Sequence, residues 1–230
     1  MLSTTRPCVV KIKGVGSLFS TFMTVTTYNE QHLIAGLDRL PQSLRVVFAT
    51  SCAERLFPSY VAFWEKTDRG DPKRLGGCLD RLWRDLECND IREEEIQECI
   101  ALCMKLIPQE DDEPWVIEQV AAEDAAEAVA YALGCKQSGE AQQAAWAARC
   151  VYEALDHFVI NSEGIDINEP GGEERVWSHP LVQAEFLRQQ RDLDELFTVA
   201  PSEEPASDLV TNFRNRAKAE SAILLKLRGN

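Results

Sequence analysis

From Met23 onward the apolar positions recur at three- and four-residue spacing, the period of one helix face and not of a strand. Leu44, Val47, Phe48, Ser51 and Cys52 share one side of a predicted helix over 42–57. Leu75, Cys78, Leu79, Leu82, Trp83 and Leu86 stack in the same way, with Trp83 on the core side. Ile96, Cys99, Ile100, Cys103 and Ile107 form a stripe that stops at Pro108. An alanine-rich helix running to about Lys136 and another over 140–160 carry small residues that let two helices approach closely.

The punctuation between these stripes supports the same reading. Thr27 and Glu30 have capping-box spacing. Pro41 stops a first helix, and Pro58 separates a short helix over 59–66 from the one before it. Asp71-Pro72 reads as an N-cap followed by a first-turn proline. A loop over 161–172, a helix over 179–197 and a last helix from near Ser207 complete the chain. No period-two stretch follows Met23, so the expected fold class is all-α, a single-domain multi-helix bundle over 23–230.

Residues 1–22 differ in character. They carry Arg6, Lys11 and Lys13 and no acid, alternate weakly like a strand, and break at Gly14 to Gly16. The two lysines interrupt the apolar stretch, so no signal-peptide core forms. The expectation is a short non-helical extension, with Met23 as an alternative start.

Charge narrows the function classes. The formal net charge is −14, and the segment 85–127 holds 15 acids against two bases. Such a balance argues against direct nucleic-acid contact, which needs a Lys/Arg surface. The plainer reading is a solvated helix face that keeps the chain soluble. The sharper one is an acidic face, with Glu93, Glu94, Glu95, Asp111, Asp112 and Glu113, that docks a basic protein partner, as an inhibitor of a basic toxin or nuclease would. No run of about 18 apolar residues occurs, so no membrane span is expected. Eight cysteines without a CxxC, mostly on apolar stripes, suit a reducing, cytoplasmic setting.

The signatures of nucleotide, zinc-hydrolase and serine-hydrolase chemistry are absent. Glu153 and His157 are four apart, not at the three-residue spacing of a di-metal carboxylate bundle, so neither metal nor cofactor is expected. Arg55 and Asp124 stand on stripes where apolar residues belong, and a charge there must be paired or must reach outward. The expectation is that both are neutralised inside the bundle, by each other or, for Arg55, by the adjacent Glu54. As a second function class, Glu54, Arg55, Tyr60 and Asp124 would line a polar pocket for a small ligand or a reaction.

The run Glu54-Arg55-Leu56-Phe57-Pro58-Ser59-Tyr60-Val61-Ala62-Phe63, with Gly70-Asp71 and Leu79-Asp80-Arg81-Leu82-Trp83 after it, resembles the signature of the YjaG-like family (DUF416). The similarity continues through Ala122-Glu123-Asp124-Ala125-Ala126 and into 179–186, and so covers nearly everything from about Leu37 to the last helix. The resemblance implies an all-α fold and a bacterial, cytoplasmic protein. It implies no activity, and it leaves 1–22 unmatched.

Overall fold

Helix α1 (Glu30–Leu37) begins at Asn29, whose side-chain oxygen accepts the His32 N–H at 2.9 Å. Asn29, not Thr27, is therefore the cap, because its carbonyl group reaches the orphan donor one turn on. The computed structural model describes residues 27–109, 115–199 and 205–228, with side chains through Ser221. The expectations for residues 1–22 and for Asp111, Asp112 and Glu113 lie outside the described residues.

Helix α2 (Gln42–Thr67) runs straight through Pro58, where the sequence reading placed a break. A proline inside a helix forfeits one hydrogen bond and costs about 3 kcal/mol. Here Val47, Phe48, Leu56, Tyr60 and Phe63 are all buried on both sides of it, and that packing outweighs the local preference. α3 (Pro72–Cys88) starts as predicted: the Asp71 carboxylate accepts the Arg74 N–H at 3.0 Å, and Pro72 occupies the first turn. α3 ends at Asn89 in the left-handed region (φ 47°), and α4 (Glu93–Leu106) follows with three glutamates in its first turn.

α5 (Glu118–Ser138) and α6 (Ala141–Glu163) form a tight antiparallel hairpin. Its turn uses Gly139 at φ 74°, a conformation that L side chains rarely adopt. Ala122, Ala125, Ala126, Ala144, Ala145 and Ala148 are all buried and keep the two backbones close. The α2–α5 contact is the most extensive between any two helices among the described residues. The short α7 (Gly172–Trp177) lies in a stretch read in part as loop, and α8 (Pro180–Val199) and α9 (Ser207–Arg228) close the assembly. All nine elements among the described residues are helices, and they bury a main core plus a smaller cluster of Leu155, Val159, Ile165, Val176, Val182 and Phe186. Among the described residues no helix is long and apolar enough to cross a membrane.

Candidate functional site

Arg55 lies on the inner face of α2, 2% exposed. Its guanidinium spreads over three helices. One terminal nitrogen meets Asp192 Oδ2 at 2.9 Å and stands 3.8 Å from Glu220, and the other meets Glu185 Oε1 at 3.0 Å and Cys52 Sγ at 3.2 Å. Burial alone would drive the guanidinium towards neutrality, but the charges of Glu185, Asp192 and Glu220 reverse that and hold its pKa above the usual arginine value. The neighbouring Cys52 thiol is pushed up to about 12 by burial, against the pull of Arg55.

The three carboxylates are themselves shared outward. Asp192 also meets Arg191 at 2.7 Å and Arg216 at 3.0 Å. Glu220 meets Arg191 at 2.7 Å, and Arg216 continues to Glu195 at 2.7 Å. Glu185 has Arg188 at 3.4 Å and the Gln189 amide at 3.1 Å. The network thus holds four arginines and four carboxylates and is closed electrically.

The expectation that Arg55 pairs with Asp124 or Glu54 is corrected. The ion pairs of Arg55 run to α8 and α9, and Asp124 sits half-buried on α5 outside them. Glu54, adjacent on the helix, points the other way because successive residues are about 100° apart. Its carboxylate accepts the Trp83 indole N–H at 2.7 Å, with Arg214 at 4.0 Å. Burial raises its pKa, opposed by the Trp83 hydrogen bond and by Lys218 and Arg214. Tyr60 is buried and ties the end of α4 to the start of α3: its hydroxyl donates to the Leu106 carbonyl at 2.9 Å and accepts the Asp71 N–H at 3.3 Å. Burial is the main cause that pushes its hydroxyl up. These four residues do not converge, and none of them lines either of the two cavities described below.

Of the acidic face, Glu93 and Glu94 are exposed and Glu95 is half-buried. Glu93 accepts from Gln97 at 3.0 Å and Gln137 at 2.5 Å. Glu95 is engaged within the fold. It accepts the Arg92 N–H at 3.0 Å, caps α4, and meets Arg81 at 3.3 Å. The Arg92 hydrogen bond, foremost, lowers its pKa. Asp90 is likewise held, by Arg81 and Arg84. Glu87, Glu94 and Glu98 carry no ion pair among the described residues.

Two cavities open on the surface. One, of about 280 Å³, is a groove between α2, α5 and α6. Ala62, Val120, Ala121, Ala154 and Phe158 make its apolar floor, and Ile117, Glu118, His157 and Asn161 stand at its rim. Continuing along the α5–α6 seam by whole helical turns come Asp124, then Glu127 and Glu153. Glu127 is pushed up by burial, then by the charge of Glu153, with Arg149 opposing. Arg149 is held by Glu153 at 2.9 Å and lies 3.8 Å from Glu30. Beyond them Tyr131 and Trp146 pack with ring centroids 5.3 Å apart. The other cavity, about 630 Å³, lies beside Pro41, Asp85, Lys136 and Pro205. Lys136 there is paired with Asp85 at 2.6 Å, and Gln42 donates to the Lys136 carbonyl at 2.7 Å. Among the described residues no group of three or more His, Cys, Asp or Glu is placed to hold a metal ion.

The sequence profile of a family described as "Protein of unknown function (DUF416)" matches residues 33–222. The chain belongs to the DUF416 family. A crystal structure of a DUF416 family protein from Shewanella baltica OS155, at 1.91 Å resolution, has a similar fold: the TM-score is 0.69 at 20% identity, over 80% of this chain and 92% of that one. At that identity the likeness shows the fold alone. No curated protein matches the chain.

In this DUF416 protein Arg55 stands out in the sequence, but its partners do not. Glu185 and Asp192 are seven apart, two turns on the face of α8 that buries Val182, Phe186, Gln189, Leu193 and Leu196. Polar residues at stripe positions of α8 were the available signal. The α2–α5–α6 groove leaves a weaker trace, because small residues such as Ala62, Ala121 and Ala154 read as close packing whether a neighbouring helix fills the space or not.

Proposed function

We propose that this protein is a macromolecular-interaction module, acting in the cytoplasm, whose contact face is the groove between α2, α5 and α6, and that its partner presents a basic amphipathic helix. The observation that carries the reading is the apolar groove running into a strip of half-buried carboxylates. Leucine-sized side chains at i, i+3, i+4 and i+7 would seat on Val120, Ala121, Ala154 and Phe158. Flanking lysines or arginines would meet Glu127 and Glu153, which face Arg149 alone among the cations paired along the seam, with Asp124 beside them. The groove, of about 280 Å³, has room for a few protruding aliphatic side chains. Ile117, 43% exposed, and Trp115, 52% exposed, offer further apolar surface at one end.

The acid surplus that the sequence pointed to on α4 supports the basic character of the partner rather than the seat itself. A fluorescently labelled Leu/Lys peptide of helical period, a scrambled peptide of the same composition and a Leu/Glu counterpart form the test. Binding is expected for the Leu/Lys peptide alone, weakening with salt, and lost in Ala121→Trp, which fills the groove, and in Glu127→Lys. Equal binding of the scrambled peptide would sink the helical reading. Loss on reversing Glu94 and Glu98 with no effect of Ala121→Trp would move the contact to α4 and overturn the groove.

A further inference from the structure

Three thiols meet where α3 packs on α4. Cys78 lies on the inner face of α3 and is 3% exposed. Cys99 and Cys103 are one turn apart on α4, Cys99 half-buried and Cys103 fully buried. The Cys78 sulfur stands 4.0 Å from the Cys99 carbonyl oxygen, which brings its thiol beside those of Cys99 and Cys103. None of the three is in a disulfide. No ion pair or cavity uses them, and none of the groups described so far depends on them.

We propose that Cys78 and Cys99 form an oxidisable pair that cross-links α3 to α4 when a small-molecule disulfide is supplied, with Cys103 as a second partner for Cys78. Cys99 is the entry point, because it alone of the three has partial access to solvent. Its thiolate attacks one sulfur of the reagent. A mixed disulfide forms and one thiolate leaves, taking up a proton. Cys78 loses its proton and attacks the Cys99 sulfur. The second reagent thiol departs, and the S–S bond joins the helices. Two protein thiols have been oxidised and one disulfide reduced to two thiols, so hydrogens and electrons balance. Two acceptors on consecutive turns of one helix make the partner of Cys78 degenerate, since both face the same side.

The environment makes this a slow reaction. The Cys78 thiol is pushed up to about 12, chiefly by its contact with Cys103. Cys99 is raised too, by Cys78 and then by burial. Only the thiolate attacks, so well below those values the rate of cross-linking rises about tenfold per pH unit. The pair therefore responds to lasting oxidation and ignores brief exposure. Cys88, exposed at the end of α3, stands ten residues from Cys78, roughly 15 Å along the helix, and serves as an internal control.

The experiment incubates the full chain with oxidised glutathione at several pH values, traps free thiols with acid and alkylating reagent, and maps tryptic peptides. The expected product joins the peptide 75–81, which holds Cys78, to 93–105, which holds Cys99 and Cys103. Cys99→Ser is expected to leave a slower link through Cys103, and Cys78→Ser to abolish the link while Cys88 is still glutathionylated. Cys78 recovered fully alkylated while Cys88 carries glutathione would overturn the proposal. So would a loop confined to 93–105, or links scattered among Cys52, Cys135 and Cys150, which would report unfolding.

Discussion

Replacing Arg55 by methionine removes the one cation that Glu185 and Asp192 share inside the protein. Both carboxylates have side chains 1% exposed, so neither can turn to water when the guanidinium is gone. Breaking a buried ion pair from one side costs about 3–5 kcal/mol, because an uncompensated charge stays behind. The geometry places this case at the lower end. Asp192 keeps Arg191 at 2.7 Å and Arg216 at 3.0 Å, and Glu220 keeps Arg191 at 2.7 Å. Glu185 is the exposed weakness, left with Arg188 at 3.4 Å and the Gln189 amide at 3.1 Å. We expect a loss of about 3 kcal/mol, or a Tm lower by roughly 6–12 °C for a domain of this size. Arg55→Lys keeps the charge, but one ammonium cannot serve Asp192, Glu185 and Cys52 together, so about half the loss remains. Adding Glu185→Gln to Arg55→Met removes the stranded charge and should recover part of the deficit, a coupling on the order of 1–2 kcal/mol. Urea unfolding measures all three. A loss below about 1 kcal/mol in Arg55→Met, with unchanged m-value, would refute the claim that this centre depends on its guanidinium.

The remaining expectations probe other sites. Glu54 binds its proton more tightly folded than unfolded, so its favourable contribution is complete below the ordinary carboxyl value of 4.5 and is lost as pH rises through its raised value. Glu54→Gln, which keeps an acceptor for Trp83, should therefore gain stability relative to the parent between pH 4 and pH 7, and denaturant titrations at the two pH values check the sign. Tyr60→Phe leaves the Leu106 carbonyl without its donor and should cost about 1–2 kcal/mol in urea unfolding. Gly70→Ala should cost at least as much, since φ is 85° and the added Cβ would lie 2.4 Å from the Tyr60 hydroxyl; thermal melts that match the parent would refute the role given to the Tyr60 tie. If a basic helix seats beside Glu127, its cation should lower that carboxyl, so peptide affinity should rise with pH through the raised Glu127 value, and a pH-independent affinity would count against that contact.

Period carried most of the fold. The stripes through Leu75 to Leu86 and Ile96 to Cys103 lie where the spacing placed them, because burial on one face is a local property of the sequence. Pro58 misled because a local penalty of one hydrogen bond competes with packing on both sides, which spacing does not weigh. Thr27 misled in the same way, since Asn29 offers an equally good acceptor two residues later. The buried charge was legible only in part. Arg55 stood out as polar on an apolar stripe, but its partners lie 130, 137 and 165 residues further along the chain, and no local rule connects them. Asp124 stands out for the same reason and is half-buried on α5, outside the ion pairs of Arg55.

These two charged places differ in what they can do for a ligand. At Arg55 every carboxylate already has a cation, four of each sign are present, and neither cavity described here is lined by the centre. An incoming charged group would compete with these existing ion pairs. The same saturation ties α2, α8 and α9 together, because a guanidinium shared by three helices fits only one register of them. Along the α5–α6 seam the balance is open. Glu127 has no ion pair among the described residues, its proton is held up by burial and by Glu153, and an apolar floor adjoins it. A partner that brings a cation and a few aliphatic side chains relieves the repulsion and covers the apolar surface in one step. That difference between the seam and the buried arginine, not the acid count of the chain, is the reason the groove is the contact face proposed above.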